Sequence, residues 1–155
     1  MVNGAPITRP TLDHWMEVAA APGKASAASN QRYKMLETEV LGYLITADWL
    51  IGESASLSVK LSDAEVKHQL VREKLAEFPR AAQFEAYLHE SRETVSDLLL
   101  NVKLHMLEQK LRTREKNGFT AFVKRLEKRW TARTECRAGY VVPDCREYRA
   151  PKAKG

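Results

Sequence analysis

The chain is poor in the residues that carry chemistry, with two cysteines, four histidines and seven glycines among 155 residues. So few cysteines exclude a disulfide-dense scaffold and a four-thiolate zinc site. The glycines form no phosphate-cradling loop and no nucleophile elbow, and no histidine pair has zincin spacing. His14, His68, His89 and His105 fall on four separate predicted helices and read as helix-surface residues. No apolar run approaches the roughly 20 residues of a membrane span. No charged-then-apolar opening segment with a cleavage site is present, so no export signal is expected within the chain as it stands.

What is present describes one helical domain. Hydrophobic residues make up 44% and charged residues 29%, enough apolar matter for a core and too regularly spaced for a disordered chain. The net charge of +5 is unevenly placed. Arg112 to Gly155 holds 13 Lys/Arg against 5 Asp/Glu, a net of +8, whereas residues 1–111 hold 12 against 15, a net of −3. A basic region of this kind attracts anionic lipid, nucleic acid or acidic polypeptide alike. Lys124, Arg125, Lys128, Arg129 and Arg133 recur along the last predicted helix without a nucleic-acid reader motif, so no specific nucleic-acid partner is expected.

Capping and breaking residues divide the chain. Asn3-Gly4 signals a turn, and Thr8 before Arg9-Pro10 predicts a helix from Arg9 to Ala20. Ala21 to Asn30 is small and polar and reads as a connection. Gln31 to Ser56 carries a wide apolar stripe that includes Leu36, Val40, Leu44, Ile45 and Trp49, which implies packing on more than one side. Ser62 and Glu65 form a capping box for a helix to Phe78 with Val66, Leu70 and Leu75 inward, stopped by Pro79. A short helix spans Ala81 to Glu90. Thr94 caps a second long helix to Leu111, Asn117-Gly118 interrupts the pattern, and Phe119 to Trp130 forms a closing amphipathic helix with Trp130 in the core. Glu37 with Glu39, and Glu73 with Glu77, could be drawn as carboxylate pairs but read as solvated helix faces. The reading is all-α, with about six helices and two long central ones.

Cys136 and Cys145 lie in a loop-rich tail with Gly139 and Pro143 at turn positions. A disulfide is the natural pairing, two free thiols being the alternative; metal or redox chemistry lacks the ligands and the spacing it needs. A disulfide would point to an oxidising, extracytoplasmic compartment.

The opening Val2-Asn3-Gly4-Ala5-Pro6-Ile7-Thr8, the Leu61-Ser62-Asp63-Ala64-Glu65-Val66 helix start and the Thr94-to-Leu111 helix resemble the N-terminal domain of SurA/PrsA-type exported chaperone foldases. That resemblance implies a single chaperone domain over residues 1–155, with an N-terminal helical part over 1–117, a closing helix over 118–134 and a tail over 135–155. It implies an ATP-independent holdase for unfolded or nascent exported polypeptides, working without cofactor or metal. Family members usually carry a parvulin isomerase domain between the second long helix and the closing helix. Here only Arg112 to Gly118 separates them, so prolyl isomerase activity is not expected, although the family label suggests it. The client-binding candidates are Trp15, Met16, Met35, Trp49, Tyr87 and Met106, adaptable or amphipathic side chains that equally suit a core. Two further partners enter as expectations: a membrane surface near the basic C-terminal region, and a second copy of the chain through exchange of the closing helix.

Overall fold

A computed structural model of the chain describes residues 1–21 and 30–150. The connection expected over Ala21 to Asn30 lies almost wholly outside the described residues, as does the end of the tail. Six helices form: α1 (Arg9–Ala19), α2 (Asn30–Ser56), α3 (Asp63–Glu77), α4 (Ala81–Ser91), α5 (Val95–Arg114) and α6 (Phe119–Thr131). The fold is all-α, and extended pairing among the described residues is limited to two isolated bridges, Val2 with Ala5 and Val2 with Thr134.

The helix starts follow side-chain chemistry. The Thr11 N–H donates to the Thr8 hydroxyl at 3.3 Å. Ser62 and Glu65 complete a reciprocal capping box, and Thr94 and Asp97 complete another. Asn3 and Gly4 both take positive φ, 47° and 87°, the combination that a tight reversal between Val2 and Ala5 requires.

Helices α2 and α5 are central: α1, α5 and α6 pack on α2, and α3 packs on α5. The main core joins α2 to both ends of the described chain, through Val2, Leu12 and Met16 on one side and Trp130, Val142 and Cys145 on the other. Backbone bonds tie those ends together. The Asn3 N–H donates to the Arg133 carbonyl at 3.0 Å, and the Glu135 N–H to the Met1 carbonyl at 2.8 Å. A smaller apolar cluster sits where α3, α4 and α5 meet, with the Phe78 ring tilted against Phe84 at 5.6 Å and against Tyr87 at 5.1 Å between centroids.

Three residues depart from the sequence reading. Leu75, expected inward, is 64% exposed, because α3 has one principal neighbour and Val66 alone on it is fully buried. Glu37, expected in water, is buried beside Lys34 at 3.3 Å. His14, expected on an open helix surface, is half-buried, and its Nε2 lies 2.8 Å from Asp97 Oδ2.

Asp97 joins the start of α5 to α1. It accepts from the Thr94 N–H and hydroxyl, each at 2.7 Å, and pairs with His14. Burial works to raise its carboxyl pKa, but the Thr94 bonds and His14 outweigh burial and leave it below the ordinary value. A folded-state pKa below the unfolded one means stability that is complete at neutral pH and lost as pH falls through the folded value. Asp97→Asn is therefore expected to cost about 1 to 2 kcal/mol at neutral pH and much less near pH 3. Urea midpoints of both proteins at the two pH values check this; an equal gap at both would contradict it.

Candidate functional site

A cleft of about 780 Å³ lies between the two ends of the described chain. That size falls within the range of ligand-binding clefts. Its floor is Leu12 from α1 with Leu41 and Ile45 from α2. One wall is the opening segment, with Val2, Pro6 and Ile7, and the other is the stretch from Thr134 to Arg137 with Tyr140. Leu41 and Ile45 reach it because α2 turns the i, i+4 row of its stripe toward the chain ends.

The rim is charged. Arg9 donates from Nε to Asp13 at 2.8 Å and from Nη1 to the Tyr140 hydroxyl at 2.6 Å, so it bridges the helix wall to the tail wall. Asp13, by hydrogen bond and charge, holds the Arg9 guanidinium pKa above its ordinary value. Across the mouth, Glu147 accepts the Cys136 N–H at 3.0 Å; that bond and the ion pair with Arg146 lower its carboxyl pKa. Arg137 and Glu135 complete the lining.

The tail wall is held by a disulfide between Cys136 and Cys145, with Cα atoms 5.7 Å apart. Closure of so short a loop removes about 2 to 3 kcal/mol of chain entropy from the unfolded state in the entropic model. It also fixes Tyr140, which lies inside the loop, against Arg9. Among the described residues no group of three or more metal-ligating side chains comes together. No helix of the described residues is long and apolar enough to cross a membrane.

The six candidate binding residues do not form one surface. Met16 and Trp49 belong to the core, at 7% and 2% exposure, and the Trp49 indole N–H donates to the Thr134 hydroxyl at 2.8 Å. Trp15 is half-buried, 4.9 Å from the Tyr43 ring, and lines a shallow groove with Val18, Leu36 and Val40. Tyr87 faces a separate cleft of about 290 Å³ between α3, α4 and α5. Its hydroxyl donates to Glu93 at 2.5 Å, and burial together with that carboxylate pushes its pKa up to about 12. Met106 is half-buried on α5. Met35 is 57% exposed near the start of α2.

No family model matches this chain, and neither does any curated protein or solved structure. What the site can do therefore rests on its own geometry. Neither Arg9 nor Tyr140 was singled out by sequence reasoning. The Arg9–Asp13 spacing was visible as an i, i+4 pair, but nothing local linked it to a tyrosine 131 positions away.

A second apolar groove, of about 390 Å³, runs between α2, α5 and α6. Tyr43, Leu50, Leu104, Phe119 and Val123 line it, with Glu108, Glu127 and Asp144 at its edges. Burial, with Glu127 nearby, raises the Asp144 carboxyl pKa. Tyr43, whose hydroxyl donates to Asn101, has its pKa pushed up to about 12 by burial and by Asp97 and Glu93.

Proposed function

We propose that the protein is an ATP-independent holdase that binds unfolded or nascent exported polypeptides, the role implied by its sequence resemblance to SurA/PrsA-type chaperones. The observation that carries this reading is the cleft of about 780 Å³, apolar at its floor and charged at its rim. An extended segment placing apolar side chains on Leu12, Leu41 and Ile45 would leave its backbone amides near Arg9, Glu135 and Arg137, where they need not be left unpaired. Such binding requires apolar contact and a wet polar edge, and it requires no nucleotide and no catalytic group. The Cys136–Cys145 disulfide supports an extracytoplasmic setting, because such bonds persist in oxidising compartments. The connector between α5 and α6 is residues 115–118, which favours simple holding over prolyl isomerisation as the activity.

Dilution of a chemically unfolded test protein into buffer, followed by light scattering, tests the proposal. Suppression of aggregation at stoichiometric amounts without nucleotide is expected. Ile7→Glu, which sets a carboxylate against the apolar floor at a half-buried position, is expected to weaken suppression by about tenfold, equivalent to losing one good apolar contact. No suppression at molar excess would sink the reading, as would turnover of a proline-containing peptide in a protease-coupled assay.

A further inference from the structure

We propose that the outer face of α6 docks on an anionic lipid surface through Lys124, Arg125 and Lys128. All three side chains are exposed. At 100° per residue they fall within one arc of α6, opposite the Phe122, Leu126 and Trp130 row that faces α2. None of the three has an ion pair or hydrogen bond to a described residue. Their neighbours are engaged: Arg129 pairs with Glu53 at 3.0 Å, and the Arg133 guanidinium lies over the Trp130 ring at 5.7 Å. Among the cations of α6, the three without a partner among the described residues thus share the face turned away from its core side.

Two further observations select the partner. On the apolar side of α6, Phe122 and Trp130 are buried and Phe119 and Val123 line the groove toward α2 and α5, so the outer face has no large apolar side chain to insert and the attraction is electrostatic and interfacial. The disulfide favours an oxidising compartment, where nucleic acid is ordinarily absent, which leaves a lipid surface as the extended anionic partner that three exposed cations on one helix face suit. No residue of the face lines the cleft between the chain ends, so docking and client binding stand or fall separately. Docked in this way, the chain would present that cleft beside the membrane from which exported polypeptides emerge.

Co-sedimentation of the intact chain with vesicles tests the proposal, using neutral phosphatidylcholine against phosphatidylcholine with about one-third phosphatidylglycerol. Binding to the anionic vesicles alone is expected, weakening severalfold or more as salt rises to about 0.15 M. Replacing the three residues by glutamine, a good helix former at exposed positions, is expected to weaken binding about a hundredfold, near fivefold for each basic side chain. Lys124→Arg with Lys128→Arg, which keeps the charge, is expected to bind as the parent does. The proposal is overturned by equal binding to both vesicles, by no binding to either, or by unchanged binding of the glutamine variant. Tighter binding to duplex DNA than to anionic vesicles at the same salt would also overturn it, by making the face a nucleic-acid surface.

Discussion

Gly52→Ala is expected to destabilise the protein by about 3 kcal/mol and to loosen α6 from α2. A Cβ at position 52 would stand 2.2 Å from Cη2, 2.8 Å from Cζ2 and 3.0 Å from Cζ3 of Trp130. The indole has no room to yield, being 4% exposed and held by its N–H at 2.8 Å from Glu53 Oε2. Alanine is better than glycine in a helix interior by about 1 kcal/mol, so the clash must exceed that gain before any loss appears. Gly42, also in α2, provides the comparison. Its Cβ would meet only Asp144 Oδ2, at 3.2 Å, the tip of a side chain on a half-exposed loop residue. Gly42→Ala is expected to be neutral or stabilising by up to about 1 kcal/mol, the propensity difference. For a domain of this size the Gly52 change corresponds to a loss of about 6 to 12 °C in Tm. Thermal unfolding followed by tryptophan fluorescence separates the two variants, and a Gly52→Ala protein that melts with the parent would refute the close packing.

The helices were legible because their ends are written in local chemistry. Thr8, Ser62 and Thr94 each satisfy a backbone N–H within their own first turn, and Pro79 and Gly118 stop or restart the chain where they stand. Depth was harder to read. The wide stripe of α2 implied packing on more than one side, and its sides are taken by α1, α5 and α6. That arrangement buries Trp49, which amphipathic character alone suggested for a binding surface. On α3, apolar spacing suggested an inward Leu75, but an interior needs a covering element, and α3 has only α5 as its main neighbour.

The cleft was not legible at all, for a physical reason. It draws on residues 1–12, 41–45 and 134–147, segments without a shared period or a local hydrogen bond to announce that they meet. The disulfide pairing could be anticipated from two cysteines in one short loop. Its consequence, a tyrosine fixed against Arg9, depended on where the tail returns. The basic face of α6 occupies the opposite case: charge and helical spacing were both visible in the sequence, and the fold adds which cations are already spoken for. Arg129 looked the same as Lys124, Arg125 and Lys128 until Glu53 was found beneath it.

Glu53→Ala is expected to cost about 3 to 4 kcal/mol, because the carboxylate fastens α6 to α2 from inside the protein. Glu53 is 1% exposed; Oε2 accepts the Trp130 indole N–H at 2.8 Å, and Arg129 Nη1 lies 3.0 and 3.1 Å from the two oxygens. Truncation removes the acceptor of a buried N–H, opens a cavity beside the indole and strands the guanidinium. The last effect is the smallest, since the Arg129 side chain is 44% exposed and can turn to water. Glu53→Gln keeps an oxygen for Trp130 and gives up the charge opposite Arg129, so about 1 to 2 kcal/mol is expected. Arg129→Ala leaves a buried carboxylate with one donor and is expected to cost more than the glutamine change at Glu53, although it removes the more exposed partner. Ser54 serves as an internal control: it is 2% exposed, but its hydroxyl has no partner among the described residues, so Ser54→Ala is expected to be neutral or slightly stabilising. Guanidinium midpoints for the four variants test this order. A Glu53→Ala protein within about 1 kcal/mol of the parent would mean that apolar packing of Trp130 alone holds the helix, and that the ion pair only accompanies it.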